Sequence, residues 1–361
     1  MSQSPPSSFC GKPRYRPLTR RGACGLIGAM LAAPPVIGQV TGPEVTLRFH
    51  HFLPANSNIQ REVIAPWIRE IARQSDGRLA IEVHPAMSLG GAAQDLARQV
   101  ESGDVDIALT LPQYTPGRFP VAETPSQPFM MTSAAATSRA LYRLMQEAGQ
   151  AEYHHTHPLA FFVDAPGQLH TATRQVSRLT DLRGLRLRMP SQALGDLLGP
   201  LGIEPRFFPV TDLAGALQRN QIDGSCLTAE IVTTLGLETA LPFHCAINAE
   251  GRGLYTSSAA VLMNRARYAR LPADLREVID ANSGEEISVR IGRVLDRFET
   301  TANATLRAAG QTISELPEAE AQLLRAAAVP LHAAWIRTLD ASGYDGAAIF
   351  ARYEELLGAA V

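Results

Sequence analysis

The feature that most constrains the fold is an alternation of strand and helix patterns between residues 45 and 111. Three segments have the character of β-strands: 45–50 and 79–84 alternate apolar and polar residues, and 107–111 is mostly apolar. Between them, segments from about 58 and from 91 to 102 carry apolar residues at helical spacing. This β-α-β-α-β order predicts parallel strands joined by crossover helices, and therefore a sheet covered by helices.

A second group of patterns follows in the same style. Strands are predicted at 158–163, 170–172, 185–189 and 203–208, with helices at 134–148, 193–201 and 212–220. The chain has 361 residues, which is more than one ordinary hydrophobic core requires. The similar segments Asp104-Val105-Asp106-Ile107 and Gln221-Ile222-Asp223-Gly224 occupy equivalent helix-to-strand positions. The sequence therefore predicts an α/β protein with two similar lobes.

The helical pattern from Pro272 to about Ala309 is longer than a normal globular helix. It predicts either one long helix across both lobes or two helices joined near residues 282–284. Further helices are predicted at 318–341 and 344–357. We expect lobe I to comprise 44–165 plus about 253–292, and lobe II 166–252 plus about 293–345, with a C-terminal helix at 346–361.

The first forty residues are typical of an export signal. Basic residues, among them Lys12, Arg20 and Arg21, precede an apolar run of small residues from Gly22 to Gly38. We predict a signal peptide over 1–38, cleaved near Gly38, and hence a periplasmic protein. Arg20-Arg21 also allows a twin-arginine export route besides the general one. An uncleaved anchor is the alternative.

Charge and cysteine content narrow the partners further. The chain has 33 basic and 35 acidic residues, so no strong field for nucleic acid or a membrane surface is expected. Two of the four cysteines, Cys10 and Cys24, lie within the predicted leader. The other two, Cys226 and Cys245, could form a disulfide in an oxidising compartment or remain as buried thiols.

The common motifs of catalysis are absent from the sequence. It has no phosphate-binding glycine loop, no G-x-S-x-G, no H-E-x-x-H and no C-x-x-C. The histidines at 154, 155 and 157 lack a cysteine or acidic residue at ligand spacing, so we expect a surface cluster. We therefore predict no catalytic residues, no metal site and no cofactor.

The segment from Asp181 to Pro190 predicts the binding chemistry. Leu185, Leu187 and Met189 alternate with arginines, and Pro190 ends the strand. Arg188 then lies at the carboxyl end of the strand, where open α/β sheets bind ligands. A guanidinium group presents a planar set of donors that matches a carboxylate. The segment predicts an organic anion bound in a cleft.

Several motifs together resemble the extracytoplasmic substrate-binding proteins of tripartite ATP-independent periplasmic (TRAP) transporters, the DctP-like family. The resemblance covers about residues 47–344. The motifs that carry it are Phe49-His50-His51-Phe52, residues 85–91, residues 100–107, Pro128-Phe129-Met130, residues 182–190, residues 212–218 and Ile222-Asp223-Gly224.

The resemblance implies a periplasmic-binding-protein fold of type II, with a cleft that closes on a small organic acid and a long helix that spans both lobes. It also implies delivery of the ligand to integral-membrane TRAP permease subunits. By position in the motif, Arg188 corresponds to the arginine that pairs with the substrate carboxylate. A second arginine of many members is replaced by Gln168, and a glutamate–asparagine pair is absent, so Thr228 or Glu230 is expected to contribute instead. A single arginine favours a monocarboxylate over a dicarboxylate.

Position along the predicted strands adds further candidates. His50 and His51 end the first strand, and Gln113 and Tyr114 follow the third, so all four are expected at the cleft. Arg252, between two glycines, can approach a ligand from a flexible loop.

Two other functions are compatible with the sequence. One is an exported enzyme that acts on small carboxylic acids through His50, His51 or Glu230, although no complete set of nucleophile, base and orienting group is present. The other is a solute receptor of an ATP-driven importer, which would share the two-lobed architecture.

Overall fold

The computed structural model describes residues 42–360, so the predicted leader at 1–38, with Cys10 and Cys24, lies outside the described residues. The strands are β1 (Val45–His51), β2 (Leu79–His84), β3 (Ile107–Thr110), β4 (Thr156–Val163), β5 (Gln168–Thr171), β6 (Arg186–Met189), β7 (Glu204–Phe207), β8 (Gly224–Leu227), β9 (Phe243–Ala246), β10 (Asn248–Ala249), β11 (Arg252–Gly253), β12 (Ser258–Asn264) and β13 (Thr312–Glu315). The helices are α1 (Ala65–Gln74), α2 (Leu96–Ser102), α3 (Ala134–Glu147), α4 (Gln192–Leu198), α5 (Leu213–Gln218), α6 (Ala229–Thr234), α7 (Arg265–Ala269), α8 (Ala273–Ala281), α9 (Glu285–Ala308), α10 (Glu318–Ala341) and α11 (Gly346–Gly358).

The first sheet has five strands in the order β2-β1-β3-β12-β4. Strands β2, β1 and β3 are parallel, as the β-α-β-α-β pattern predicts. Strand β12 is antiparallel to both β3 and β4, so β4 runs in the same direction as β1 and β3. The carboxyl ends of β1, β3 and β4 therefore meet at one edge of this sheet.

The second sheet has six strands in the order β13-β9-β5-β8-β6-β7. Strands β7, β6 and β8 are parallel, whereas β5 is antiparallel to both of its neighbours, β8 and β9. Each sheet has its own buried apolar cluster, the first built around Phe49 and Phe161 and the second around Leu187 and Leu198. The prediction of an α/β fold with two sheet-centred lobes is confirmed.

Helix α9 joins the two halves of the molecule. It packs on α3 and β4 beside the first sheet and on α6 and β13 beside the second. The Asp296 carboxylate accepts hydrogen bonds from the backbone N–H groups of Ala134 and Ala135 at the start of α3. One turn later, Glu299 accepts from those of Ala229 and Glu230 at the start of α6. One helix thus caps a helix in each lobe, as the prediction of a lobe-spanning helix requires.

The helical region after Pro272 resolves into the two-helix alternative. Helix α8 ends at Ala281 and α9 begins at Glu285. Gly284 between them has φ of 95°, a conformation that favours glycine. The first predicted helix also differs from expectation, because it opens with a π-helical turn, Gln60–Ile64, before α1. The predicted lobe boundaries stay a prediction.

The two described cysteines are buried and free. Leu169 of β5 lies in register with Cys226 of β8 on one side and Cys245 of β9 on the other. Two strand spacings of ~4.8 Å separate the cysteines, and this exceeds the reach of a disulfide. Of the two predicted alternatives, a disulfide or buried thiols, the structure therefore shows buried thiols at Cys226 and Cys245. None of the helices within residues 42–360 has both the length and the apolar character needed to cross a membrane.

Candidate functional site

A cavity of about 60 Å³ lies between the strand ends of the two sheets. The first half of the chain contributes Phe52 and Leu53 after β1, Leu111 and Tyr114 after β3, and Asp164 after β4. The second sheet contributes Arg188 and Pro190 at the end of β6, and Leu227 and Thr228 at the end of β8. These ends converge because parallel strands present their carboxyl ends to the same crevice.

Arg188 is the buried cation of this cavity. It is 4% exposed and lies in β6 between Arg206 of β7 and Ser225 of β8. Its Nε donates a hydrogen bond of 3.0 Å to the Phe208 carbonyl oxygen, which fixes the direction of the guanidinium group. No acidic side chain within residues 42–360 forms an ion pair with it. A buried charge without a counter-charge is costly, and a bound anion would offset that cost.

Asp164 is an acidic residue of the same cavity, and it was absent from the sequence-based candidates. Its carboxylate accepts no hydrogen bond from any residue in the described part of the chain. Burial, followed by the negative charges of Glu230 and Glu299, raises the pKa of Asp164 to about 7. The sequence does contain a signal for it, because Asp164 directly follows the strand Thr156–Val163.

The remaining walls are mainly aromatic and aliphatic. Phe52 and Tyr114 pack edge to face with ring centroids 5.6 Å apart, and Phe162 and Tyr255 complete the aromatic lining. The Tyr114 hydroxyl is buried near the Val210 main chain without a well-formed hydrogen bond. Such a lining favours a flat apolar ligand body with few polar groups at defined points. The aliphatic part of the wall comprises Ile59, Leu109, Val210 and Ile231.

Three of the nine predicted ligand-binding residues lie together in this cavity: Arg188, Tyr114 and Thr228. Thr228 is the N-cap of α6, and its hydroxyl oxygen accepts a 3.2 Å hydrogen bond from the Ile231 backbone N–H. The hydroxyl hydrogen stays available to a ligand oxygen.

The predicted histidines point elsewhere. Strand β1 extends through His51, so both residues are part of the pleated sheet and Phe52 and Leu53 reach the cavity instead. His50 hydrogen-bonds through Nδ1 to Gln99 Oε1 at 2.8 Å, and His51 through Nε2 to Gln60 Oε1 at 2.8 Å. Burial lowers the pKa of His50 and lowers that of His51 to about 4. Both are neutral core residues at physiological pH.

Gln168 and Glu230 lie beside the cavity and serve the helix network. The Gln168 side-chain amide donates to Glu299 Oε1 at 2.7 Å and to Asn303 Oδ1 at 3.1 Å. Glu230 is 4% exposed, and its Oε1 accepts hydrogen bonds from Asn58 and Thr234. Neither side chain lines the cavity, and the prediction that they contact the ligand stays a prediction.

Gln113 and Arg252 also lie outside the lining. Gln113 is in a short 3₁₀ turn after β3, and its Oε1 is buried with no partner in the described chain. Arg252 belongs to β11, where Nη1 is likewise buried and unpartnered within residues 42–360. Gln113 is next in sequence to the lining residue Tyr114, but neither Gln113 nor Arg252 is among the residues that line the cavity. Ligand contact through either residue stays a prediction.

A second cavity of about 360 Å³ adjoins the first and shares the wall residues Ile59, Leu109 and Phe162. It lies between α1, α9 and the first sheet and is almost entirely apolar. Its charged residues, Glu62, Glu70 and Arg290, belong to the helices. No buried cation lines it, so the smaller cavity is the one equipped to bind an acid.

The fold and the site together define a class of protein. Two sheet-centred lobes that enclose a cavity, an unpaired buried arginine and an apolar lining are the features of a solute receptor. Residues 49–338 match the family described as bacterial extracellular solute-binding protein, family 7. The chain belongs to this family, and the prediction of a TRAP-type extracytoplasmic receptor is confirmed.

Solved structures and relatives agree with this membership. The chain is 36% identical to a TRAP solute binding protein from Rhodoferax ferrireducens in complex with copurified benzoate, with a TM-score of 0.85 over 88% of this chain and 98% of that one. It is 35% identical to a marine metagenome TRAP solute binding protein specific for aromatic acid ligands, solved with 3-hydroxybenzoate, with a TM-score of 0.84 over 88% and 99%. It is also 25% identical to the outer membrane transporter protein TsaT of Comamonas testosteroni, over 91% of this chain and 95% of that protein. Members of this family are binding receptors, and TRAP receptors work outside the cytoplasm with a membrane permease.

Proposed function

We propose that this protein is a periplasmic receptor that binds an aromatic monocarboxylate and delivers it to a TRAP permease. The single observation that carries the proposal is the unpaired Arg188 guanidinium, 4% exposed, in a cavity lined by four aromatic side chains. One buried cation matches one carboxylate, and the aromatic walls match a planar ring. The benzoate and 3-hydroxybenzoate bound by two related receptors support the same ligand class.

The mechanism follows from the placement of the cavity between the two sheets. In the open form the acid enters, and the Arg188 guanidinium binds its carboxylate. Closure then brings the walls after β1 and β3 against those after β6 and β8, and water is excluded. In the dry cavity the ion pair is stronger than it would be at a surface. Opening at the permease reverses these steps and releases the acid unchanged.

The export signal predicted over residues 1–38 supports a periplasmic location, and membership of the family supports a permease as the partner. The cavity brings no nucleophile, base and orienting group together among the described residues, which supports a receptor rather than an enzyme. An importer driven by ATP is disfavoured by the family match.

A thermal-shift screen followed by calorimetry tests the ligand class. Benzoate should raise the melting temperature, because a ligand at 100 times its Kd adds about 2.7 kcal/mol to the free energy of unfolding. Butyrate tests the need for a ring, and succinate tests the preference for one carboxylate. Stabilisation by succinate with none by benzoate would contradict the proposal. Recovery of the bound acid unchanged, checked by mass spectrometry, separates a receptor from an enzyme.

A further inference from the structure

Asp164 is held firmly at its backbone and left free at its side chain. Its N–H donates to the Ser257 carbonyl oxygen at 3.0 Å, and its own carbonyl oxygen accepts a 2.6 Å hydrogen bond from the Thr256 hydroxyl. The carboxylate, in contrast, lines the cavity and has no hydrogen-bond donor within residues 42–360. A fixed backbone with an unsatisfied polar group is the arrangement of a preorganised binding residue.

The cavity therefore contains two opposite charges that do not pair with each other. Arg188 comes from the end of β6 and Asp164 from the end of β4, and no ion pair joins them in the described chain. Tyr114 and Tyr255 respond electrostatically to both groups: the Arg188 charge lowers the pKa of each tyrosine, and the Asp164 charge raises it. Since burial dominates and raises both pKa values, the two tyrosines remain neutral lining groups near both charges.

This arrangement constrains the ligand. A carboxylate bound at Arg188 adds a negative charge to the cavity and disfavours the ionised form of Asp164, whose pKa is already raised to about 7. A ligand that presents a hydrogen-bond donor to Asp164 offsets this effect and satisfies the carboxylate. A ligand without a donor leaves the partly buried Asp164 carboxylate without a hydrogen-bond partner in the closed cavity, which is the more costly outcome.

We infer that Asp164 is a specificity-determining residue that selects aromatic acids with a hydroxyl group on the ring, remote from the carboxylate. This inference deepens the proposed function and rests on it. Arg188 recognises the acid common to all such ligands, and Asp164 accepts the hydroxyl hydrogen that distinguishes them. Unsubstituted rings then bind through Arg188 and the aromatic walls alone.

Calorimetry on the exported chain tests this inference with matched ligands. The panel contains benzoate, 3- and 4-hydroxybenzoate, and 3- and 4-fluorobenzoate, because fluorine is close in size to hydroxyl and cannot donate. At about pH 8, above the raised pKa of Asp164, the wild type should bind one hydroxybenzoate about 10- to 100-fold more tightly than the matching fluorobenzoate, as expected for a hydrogen bond to a charged group. Asp164→Val should bring that ratio close to one, and Asp164→Asn, which retains an acceptor oxygen, should give an intermediate ratio.

Arg188→Lys provides the control, because it should weaken both ligands together and leave their ratio unchanged. A wild type with no preference for hydroxyl over fluorine, or a ratio that survives Asp164→Val, would overturn the inference. The proposed function would still stand in that case, provided that benzoate binds. Failure of every acid to bind would overturn the proposed function itself. If Asp164→Val does not fold, the hydroxyl-to-fluorine ratios of the wild type and Asp164→Asn decide.

Discussion

Asn58 and Glu230 join the two halves of the molecule through a hydrogen bond of 2.9 Å from Asn58 Nδ2 to Glu230 Oε1. Asn58 follows β1 of the first sheet, and Glu230 lies in α6 after β8 of the second. Their neighbours Ile59 and Ile231 line the cavity, so the bond lies directly behind its wall. The bond therefore links the two sheets next to the cavity, and under the proposed function it would stabilise the closed form.

Replacing Asn58 by alanine should weaken ligand binding about fivefold. An intramolecular hydrogen bond contributes about 1 kcal/mol net, which is about a fivefold change in an equilibrium constant. Without this stabilisation the population of the closed form falls by about the same factor, and the apparent Kd rises accordingly. Calorimetry with the ligand found by screening measures the change. Thr233→Val is the matched control, because that hydroxyl bonds only to the Glu230 backbone carbonyl inside α6. Equal losses in both variants would argue against a closure role.

Replacing Arg188 by alanine should abolish most of the binding. Removing one partner of a buried ion pair costs about 2–5 kcal/mol, which corresponds to at least a 30-fold increase in Kd. Arg206 is its in-register neighbour on β7 and is exposed, where it pairs with Glu204. Arg206→Ala should therefore leave the Kd within about twofold of the wild type. An unchanged Kd in a folded Arg188→Ala variant would remove this residue from the site.

Stability should fall as the pH rises through neutrality, in part because of Glu123. This side chain is buried, its Oε1 has no partner among residues 42–360, and burial raises its pKa from 4.5 to about 7. The folded protein thus retains a proton that the unfolded chain releases, so stability is lost between those two values as the pH rises. Glu123→Gln should lessen this loss.

Chemical denaturation at about pH 5 and about pH 8 measures the effect, with the pH 5 value as the reference for each variant. Burial raises the pKa of Glu152 and the Glu123 charge raises it further, so the difference between the wild type and the variant measures Glu123 together with its effect on Glu152. Glu354→Gln, an exposed change on α11, should retain the wild-type pH dependence. The idea fails if Glu123→Gln and the wild type lose stability in parallel.

Cys226 and Cys245 should be inert in the folded protein. Both are free and almost fully buried, and burial raises the pKa of Cys226 to about 12 and also raises that of Cys245. The thiolate is the reactive form, so a thiol reagent should label neither residue until denaturant is added. Peptide mapping by mass spectrometry identifies the labelled positions. Rapid labelling of either cysteine under native conditions would contradict the buried-thiol arrangement.

The sequence predicted most of the elements because local patterns determine them. The alternation in β1 and β2 and the apolar run of β3 follow from the side-chain pattern, and the helix Glu318–Ala341 follows from the alanine-rich composition of that region. The strand ending at Met189 follows from the same pattern and from Pro190, whereas the burial of Arg188 depends on the position of β6 between β7 and β8. Arg188, Tyr114 and Thr228 reach the cavity because each lies at or just beyond a strand end.

The sequence could not predict which way a side chain points when it lies next to the end of a strand. One extra residue of pairing in β1 keeps His51 in the core and moves the cavity contact to Phe52, because successive residues of a strand face opposite sides. The Gln168 side-chain amide donates a hydrogen bond to Glu299, more than a hundred positions away in the chain. A local sequence pattern cannot predict a contact over that separation.

By itself, then, the sequence determined the α/β class, the family and the position of the arginine proposed to bind an acid. Only the tertiary structure decided that Asp164 shares the cavity with Arg188 and that neither forms an ion pair within residues 42–360. The reason is that strand order is a long-range property. Strand β4 runs parallel to β3 only because β12, from a distant part of the chain, inserts between them. That insertion puts the carboxyl end of β4, and with it Asp164, at the edge that lines the cavity.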